Sequence, residues 1–280
     1  MKRACLVLAW TAWAAAAEVN VQEIVRRSVE AGDRNWREAP NYVFTERDLE
    51  EKLDFHGRVK SRTYNTYEVM VLEGSEYRKL LKRSDQPLSP GELKAEDEKL
   101  EAERARRQHE SARERQKRIS RYEAERQQDH AMMREMADAF DYKLAGEETV
   151  DGHRCYILDA TPHPGYVAKT RDTKVLSGMR GRMWVDHETF QWVKVEAEVM
   201  HPVSFYAVAT VGPGTKFQLR QAPVGDGVWL PVHFAVRVNA SVFFLSRNSA
   251  EDETYSNYRR VSGEAARSKG VSPPLARGAR

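Results

Sequence analysis

Histidine, cysteine, serine and paired carboxylates carry most protein chemistry, and in this chain their spacing fits no catalytic or metal-binding pattern. The eight histidines are His56, His109, His130, His153, His163, His187, His201 and His233. They form no His-Glu-x-x-His pair, and none has a nearby cysteine to complete a zinc ligand set. His153 and His163 flank one apolar stretch, and two scattered histidines do not make a metal site. His187 and Glu188 fall in a turn, where solvated polar residues are expected. There is no Gly-x-Ser-x-Gly elbow, phosphate loop or dinucleotide fingerprint. A triad gathered from distant positions leaves no local pattern and stays open. Cys155 lies in the apolar stretch Cys155-Tyr156-Ile157-Leu158 and reads as a small buried hydrophobe rather than a nucleophile. The expectation is a chain with no catalytic residues, no metal and no cofactor; an exported hydrolase is the remaining enzymatic alternative.

Charge excludes another class. The 280 residues carry 45 Lys+Arg against 42 Asp+Glu, a formal net charge of +3. That balance argues against binding nucleic acid through bulk charge. The arginines between 104 and 126 are interleaved with acids that cancel most of their field, so a solvated helix face is the expected role. Charged residues nevertheless make up 31% of the chain, above the roughly 25% of ordinary globular proteins.

The first segment reads as an address. Lys2 and Arg3 precede an apolar run from Ala4 to Ala14, and Ala15, Ala16 and Ala17 offer a small-residue cleavage site before Glu18. Residues 1–17 thus read as a Sec-type signal peptide, too short to span a bilayer, which needs about 20 apolar residues. The expected location is periplasmic or secreted. After cleavage Cys155 would be the single cysteine, so an intrachain disulfide is excluded and stability must come from packing.

The elements that follow alternate in kind. Asn20 and Glu23 resemble a capping box, and Val21, Ile24, Val25 and Val29 recur at helical spacing up to Gly32, a plausible stop. Residues 41–55 and 59–72 alternate with period two, and 76–81 adds a short strand. Ser89-Pro90-Gly91-Glu92 is a strong helix start, and 91–140 holds 13 acidic and 12 basic residues. Glu103/Arg107 and Glu114/Arg118 are spaced for i,i+4 pairing. Large apolar residues gather near the ends of this segment, and Ser111 followed by Glu114 could cap a second helix. Two helices anchored at their outer ends are therefore expected. Strand hairpins resume after Phe140 and run to Arg260. In one of them Val193, Val195, Ala197 and Val199 should face one way, and Lys194, Glu196 and Glu198 the other. Residues 261–280 hold little that could pack and read as a disordered tail.

The second half resembles the LolA-like superfamily of exported lipoprotein-sorting and lipid-carrier proteins. The resemblance lies in GEETVDGHRCYIL at 146–158, GRMWVDHETFQWVKVE at 181–196, GVWLP at 227–231 and TYSNYRR at 254–260. It implies an α+β fold: a large curved antiparallel sheet, a half-open barrel of about 9–11 strands, with an N-terminal helix, in a single domain over 18–260. It also implies an apolar concave face that holds acyl chains. The candidate lining is Tyr67, Val69, Val71, Met183, Val185, Val193, Val195, Phe234 and Val236, with Met132, Met133, Met136 and Phe140 as a lid. The implied partners are a lipid acyl chain or a lipoprotein, with the protein peripheral to a membrane rather than spanning it. The insertion at 91–140 is far more charged than a usual lid of that family. It offers a contact surface for a protein partner, the basis of an alternative reading as a scaffold or envelope-stress sensor.

Overall fold

The computed structural model describes residues 20–205, 209–243 and 245–261. The expected signal peptide at 1–17 lies outside the described residues, as does the expected tail beyond Val261.

Helix α1 (Val21–Glu38) is capped by Asn20, whose side chain accepts from the Glu23 backbone N–H at 3.1 Å. It runs through Gly32, the expected stop, and ends where Pro40 enters a short 3-10 turn. Gly32 serves packing instead: a Cβ there would stand 3.0 Å from the Met133 methyl. Strands β1 (Tyr42–Leu53), β2 (Val59–Leu72), β3 (Ser75–Arg83) and β4 (Gln86–Pro87) follow as a meander. Two helices come next, α2 (Pro90–Gln108) and α3 (Ala112–Ala139), each opened by a complete capping box, Ser89/Glu92 and Ser111/Glu114. The remaining strands are β5 (Phe140–Val150), β6 (His153–Pro162), β7 (Met179–Asp186), β8 (Trp192–Val199), β9 (Val203–Phe205), β10 (Ala209–Val211), β11 (Lys216–Gly225), β12 (Val228–Val238), β13 (Ala240–Val242), β14 (Leu245–Ser246) and β15 (Ser249–Arg260).

Eleven strands form one antiparallel sheet in the order β4-β3-β2-β1-β15-β12-β11-β8-β7-β6-β5, not closed into a barrel. The short strands β9, β10, β13 and β14 make a separate four-stranded sheet. The last strand, β15, sits between β1 and β12 and joins two meanders into one surface. The insertion links the opposite edges, β4 and β5.

That position explains its two helices. Flat, the edges of an eleven-stranded sheet lie roughly 48 Å apart at about 4.8 Å per spacing. Helix α2 descends along β3, which β4 covers only at Lys82 and Arg83, with Glu92 paired to Arg83 at 3.0 Å, Asp97 to Lys79, and Arg107 to the start of the strand. Arg107 is buried and donates to Leu72 O at 2.7 Å, Ser75 O at 2.9 Å and Ser75 Oγ at 3.0 Å from Nη1, and to Glu76 O at 3.2 Å from Nη2. An exposed strand edge is a template for aggregation, and a helix laid along it is one remedy. The insertion is thus anchored in its charged middle as well as at its ends. Glu103 and Arg107 form the expected i,i+4 pair at 2.6 Å, whereas Arg118 turns to Glu110 at 2.7 Å because Glu114 is committed to capping Ser111. Helix α3 then crosses the sheet to reach β5.

Arg107→Ala removes the side-chain donor from three carbonyl groups at the β2–β3 turn, Leu72 O, Ser75 O and Glu76 O, while Ser75 Oγ keeps Arg118. The expected loss is about 2–3 kcal/mol in urea unfolding. Amides of Ser75–Leu81 should exchange before global unfolding; an unchanged midpoint and unchanged exchange would refute the anchoring role.

Candidate functional site

Register defines two faces of the large sheet. One row of partners runs Asn65, Asp48, Glu253, Phe234, Leu219, Val195, Met183, Leu158 and Leu144 across β2, β1, β15, β12, β11, β8, β7, β6 and β5. This is the helix face, because Leu158, Met183 and Val185 pack with Ile24 and Val25 of α1 and with Met133 and Met136 of α3. The row divides into two sectors. From Phe234 to Leu144 it is apolar; from Glu253 to Asn65 it is polar.

Eight of the nine expected lining residues share this face. Met183, Val185 and Val195 lie beneath α1 and α3. Tyr67, Val69 and Phe234 belong to a second cluster with Phe44 and Tyr255, and Val71 and Val236 alternate onto the same face. Val193 does not. Trp184 pairs with Lys194 but Val185 pairs with Trp192, so a bulge leaves Val193 over and turns it to the other side, against Cys155, Trp184 and Trp229. Of the expected lid, Met132 packs beside Leu176 and Met179, Met133 beside α1, and Met136 between the two clusters. Phe140 is the first residue of β5 rather than part of the helix.

The apolar sector is largely filled by the protein's own side chains. A cavity of about 40 Å³ remains beneath α1, lined by Gly32, Trp36, Met133, Trp192, Trp229 and Leu230 among others. Helix α3 meets α1 through Met133, Met136 and Ala137 and through a set of polar contacts. The His130 ring stacks on Trp36 at 4.3 Å, its Nε2 lies 3.1 Å from Asp33, and the Arg126 guanidinium sits 4.6 Å over the Trp36 ring. Burial lowers the His130 pKa from its usual value, and Arg134, Arg37 and Arg126 lower it further against the pull of Asp33. Trp192 Nε1 and His130 Nδ1 are buried with no hydrogen-bond partner among the described residues.

The polar sector is a buried charge cluster that sequence reasoning missed, although Glu46 shares the period-two face of Tyr42 and Phe44 in plain view. Glu46 and Glu253 are buried, Asp48 nearly so, and Arg78 donates to Glu46 Oε1 and to Asp48 Oδ2, the latter at 3.3 Å. Tyr255 donates to Glu253. Burial raises the Glu46 pKa to about 8; Arg78 opposes this, but it is shared with Asp48 and Glu76.

A larger cavity lies on the other, open face. It is a cleft of about 950 Å³ reaching from β1 to β6. Those strands are six spacings apart, about 29 Å in a flat sheet, so the sheet must curl around the cleft. Its walls are charged: Glu51, Asp159, Arg180, Arg182, Glu196, Glu198, Lys216, Arg237 and Asp252. Ala235 and Ala250 lie among them, and Gly181 and Ala197, whose side-chain positions belong to the helix face, also line the cleft. Arg182 pairs with Asp159 at 2.6 Å, and Gln218 donates to Glu196 at 3.2 Å. No group of three His, Cys, Asp or Glu suited to a metal occurs among the described residues. Burial raises the Cys155 thiol to about 11, which leaves it unreactive.

No protein-family model matches the chain, and no curated protein matches it in sequence. Among solved structures it aligns with a domain from Vibrio parahaemolyticus described as an outer membrane lipoprotein-sorting protein, at 9% identity and TM-score 0.35, over 85% of this chain and 94% of that one. It aligns with a LolA superfamily protein from Nitrosomonas europaea at 12% identity and TM-score 0.30, over 88% of this chain and 95% of that one. It also aligns with a chain of the Pseudomonas aeruginosa MucA/MucB complex at 13% identity and TM-score 0.25, over 86% of this chain and 99% of that one.

The Glu46 shift has a signed consequence. The folded protein keeps the Glu46 proton up to about pH 8, whereas the unfolded chain releases it near the ordinary value of 4.5. This contribution is complete below about pH 4.5 and declines as pH rises toward 8, at up to about 1.4 kcal/mol per pH unit. Glu46→Gln should abolish that decline, so urea unfolding should show the variant gaining on wild type between pH 5 and pH 8. Parallel pH profiles would contradict the assignment.

Proposed function

We propose that this protein is an exported, non-enzymatic carrier or sensor that holds a lipid acyl chain, free or attached to a lipoprotein, on the apolar sector of its helix face. The supporting observation is the mismatch between that sector and its cover. The sheet offers a continuous apolar row, while α3 covers it through Met132, Met133 and Met136 and is held to α1 by the Asp33–His130–Trp36–Arg126 contacts. Methionines repack readily around varied shapes. A cover held in part by polar contacts opens at lower cost than one held by packed apolar surface alone. Each acyl CH₂ transferred from water is worth about 0.8 kcal/mol, enough for a chain of ordinary length to compete with three methionines. The adjoining polar sector gives a headgroup somewhere to go, toward the Glu46, Asp48 and Arg78 cluster. No helix among the described residues is long and apolar enough to cross a membrane, in keeping with a peripheral role.

The alternative, an interaction scaffold or envelope-stress sensor, is favoured by the outward side of α2. Lys94 and Glu98 there are highly exposed, as is Glu101. Deleting 91–140 would sever the link between the sheet edges, so charge reversal at Lys94, Glu98 and Glu101 is the cleaner test. Loss of a partner with lipid uptake intact would favour the scaffold.

Native mass spectrometry of protein recovered from its exporting host should show a lipid adduct, and the protein should take up a fluorescent fatty acid. A ligand-free mass together with no uptake would end the carrier reading. Acid should speed uptake. The closed state disfavours His130 protonation, so closure weakens as pH falls below about 6.5, the ordinary histidine value. A charged His130 would then face Arg37, Arg126 and Arg134 with Asp33 as its counter-charge. Uptake should rise several-fold from pH 7.5 to 5.5, and His130→Phe, which keeps the ring stack, should flatten the profile.

A further inference from the structure

Six large apolar side chains are exposed among the described residues, and four of them lie on two hairpin tips at one end of the sheet. Phe55 and Val59 are on the β1–β2 tip, and Phe243 and Leu245 on the β13–β14 tip. The tips are fastened together. Asn248 accepts from Leu53 N at 3.0 Å through its backbone carbonyl, donates to Asp54 O at 3.2 Å, and accepts from Ala240 N at 3.3 Å through its side chain. Arg237 donates to Gly57 O at 2.9 Å. Asp54 stiffens the first tip by accepting from His56 N at 2.8 Å and Arg58 N at 2.9 Å. Phe243 takes φ 47°, a backbone position that Asn or Gly would occupy at less cost. An aromatic kept there points to a use for its side chain.

The charge around the tips is net positive. Lys52, Arg58, Lys60, Arg62, Arg237 and Arg247 lie on the tips or the strand ends beside them, against Glu50, Glu51, Asp54 and Glu251. Asp54 pairs with Arg58 at 2.9 Å and Glu51 with Arg62 at 2.5 Å, which leaves Lys52, Lys60, Arg237 and Arg247 against Glu50 and Glu251. Apolar tips with a surplus of Lys and Arg beside them match the layering of an anionic bilayer surface, with headgroup charge outside and hydrocarbon beneath. We infer that Phe55, Val59, Phe243 and Leu245 dock this protein on membranes containing anionic phospholipid, inserting at headgroup depth while Lys60 and Arg247 meet the phosphates. The surface is separate from the helix face, and docking there does not require that the helix face take an acyl chain.

The test is flotation with phosphatidylcholine vesicles with and without one-quarter phosphatidylglycerol, using wild type and variants of identical length so that residues 1–19 contribute equally. Wild type should float with the anionic vesicles and much less with the neutral ones, and 0.5 M salt should release it. Phe55→Ser with Phe243→Ser should weaken binding about tenfold, and Phe55→Leu should retain it. Lys60→Gln with Arg247→Gln should erase the preference for anionic lipid. All four positions are exposed, so thermal melting should be unchanged, and fatty-acid uptake in free solution should be unaffected, which separates this surface from the carrier reading. Absence of wild-type flotation, or undiminished flotation of the double serine variant, would overturn the docking assignment. Sedimentation showing a wild-type dimer that the serine variant dissociates would overturn it too, by assigning the tips to a second copy.

Discussion

After β4 the chain stands at one edge of an eleven-stranded sheet and must begin β5 at the other. Much of the molecule follows from that crossing. An extended connection would leave long runs of backbone N–H and C=O without partners, whereas a helix satisfies its own. At about 1.5 Å per residue, α2 and α3 supply roughly 28 and 42 Å, enough for the edge and the span. Their composition follows the surfaces they traverse. Beside the strand edge, Arg107 answers carbonyl groups; above α1, His130 and Arg126 meet Trp36; at the far side, Met133 and Met136 meet apolar strands. The remaining surface of a helix laid across a sheet faces water. The charge excess of the chain is therefore largely a consequence of connectivity, placed where a long helix has one wet side.

The same crossing divides the helix face. Under α1 and the end of α3 the strands carry apolar residues, because that is where helices exclude water. Toward β1, β2 and β15 the face instead carries Glu46, Asp48 and Glu253 around Arg78. Removing a lone carboxylate from water would be prohibitive. Here it is tolerated because Arg78 bridges two acids, Tyr255 donates to a third, and Glu46 keeps its proton. The neutral acid lowers the charge that the cluster must hold. A face divided in this way is amphipathic within a single surface, a property that neither a plain hydrophobic core nor a plain polar groove would have.

Local signals were legible where physics is local. The boxes at Ser89 and Ser111 place both insertion helices correctly because a capping box needs only four neighbouring residues. The strands were visible from period-two alternation, and the extent of the large sheet from their number. What escaped depends on partners distant in sequence. Val193 obeys the alternation of its own strand on paper, yet the pairing of Trp184 with Lys194 and of Val185 with Trp192 turns it over. Gly32 has the look of a helix stop, but the space it leaves is taken by Met133, a hundred positions on. Arg107 reads as one more solvated arginine until the β2–β3 turn is brought beneath it. Sites followed the same rule. Alternation put eight of the nine expected lining residues on one face, while the Glu46 cluster needed β1, β3 and β15 brought together.

Period two also couples the two faces, and this accounts for the open cleft. Each residue committed to the helix face places its neighbours on the opposite one, so Val195 and Leu219 beneath α1 require Lys194, Glu196, Gln218 and Arg220 on the far side. Cross-strand pairing then neutralises much of that charge in place, as between Arg182 and Asp159. Between these pairs the lining includes the small residues Gly181, Ala197, Ala235 and Ala250, and a Cβ on Gly181 would come within 2.9 Å of Glu196 O. Small residues there let neighbouring strands approach and bend, and the bulges in β2, β5, β8 and β12 add local twist. Curvature, the charged cleft and the apolar helix face are thus one arrangement seen from two sides. A substitution that flattened the sheet at Gly181 would disturb the seating of α1 and α3 as surely as it closed the cleft.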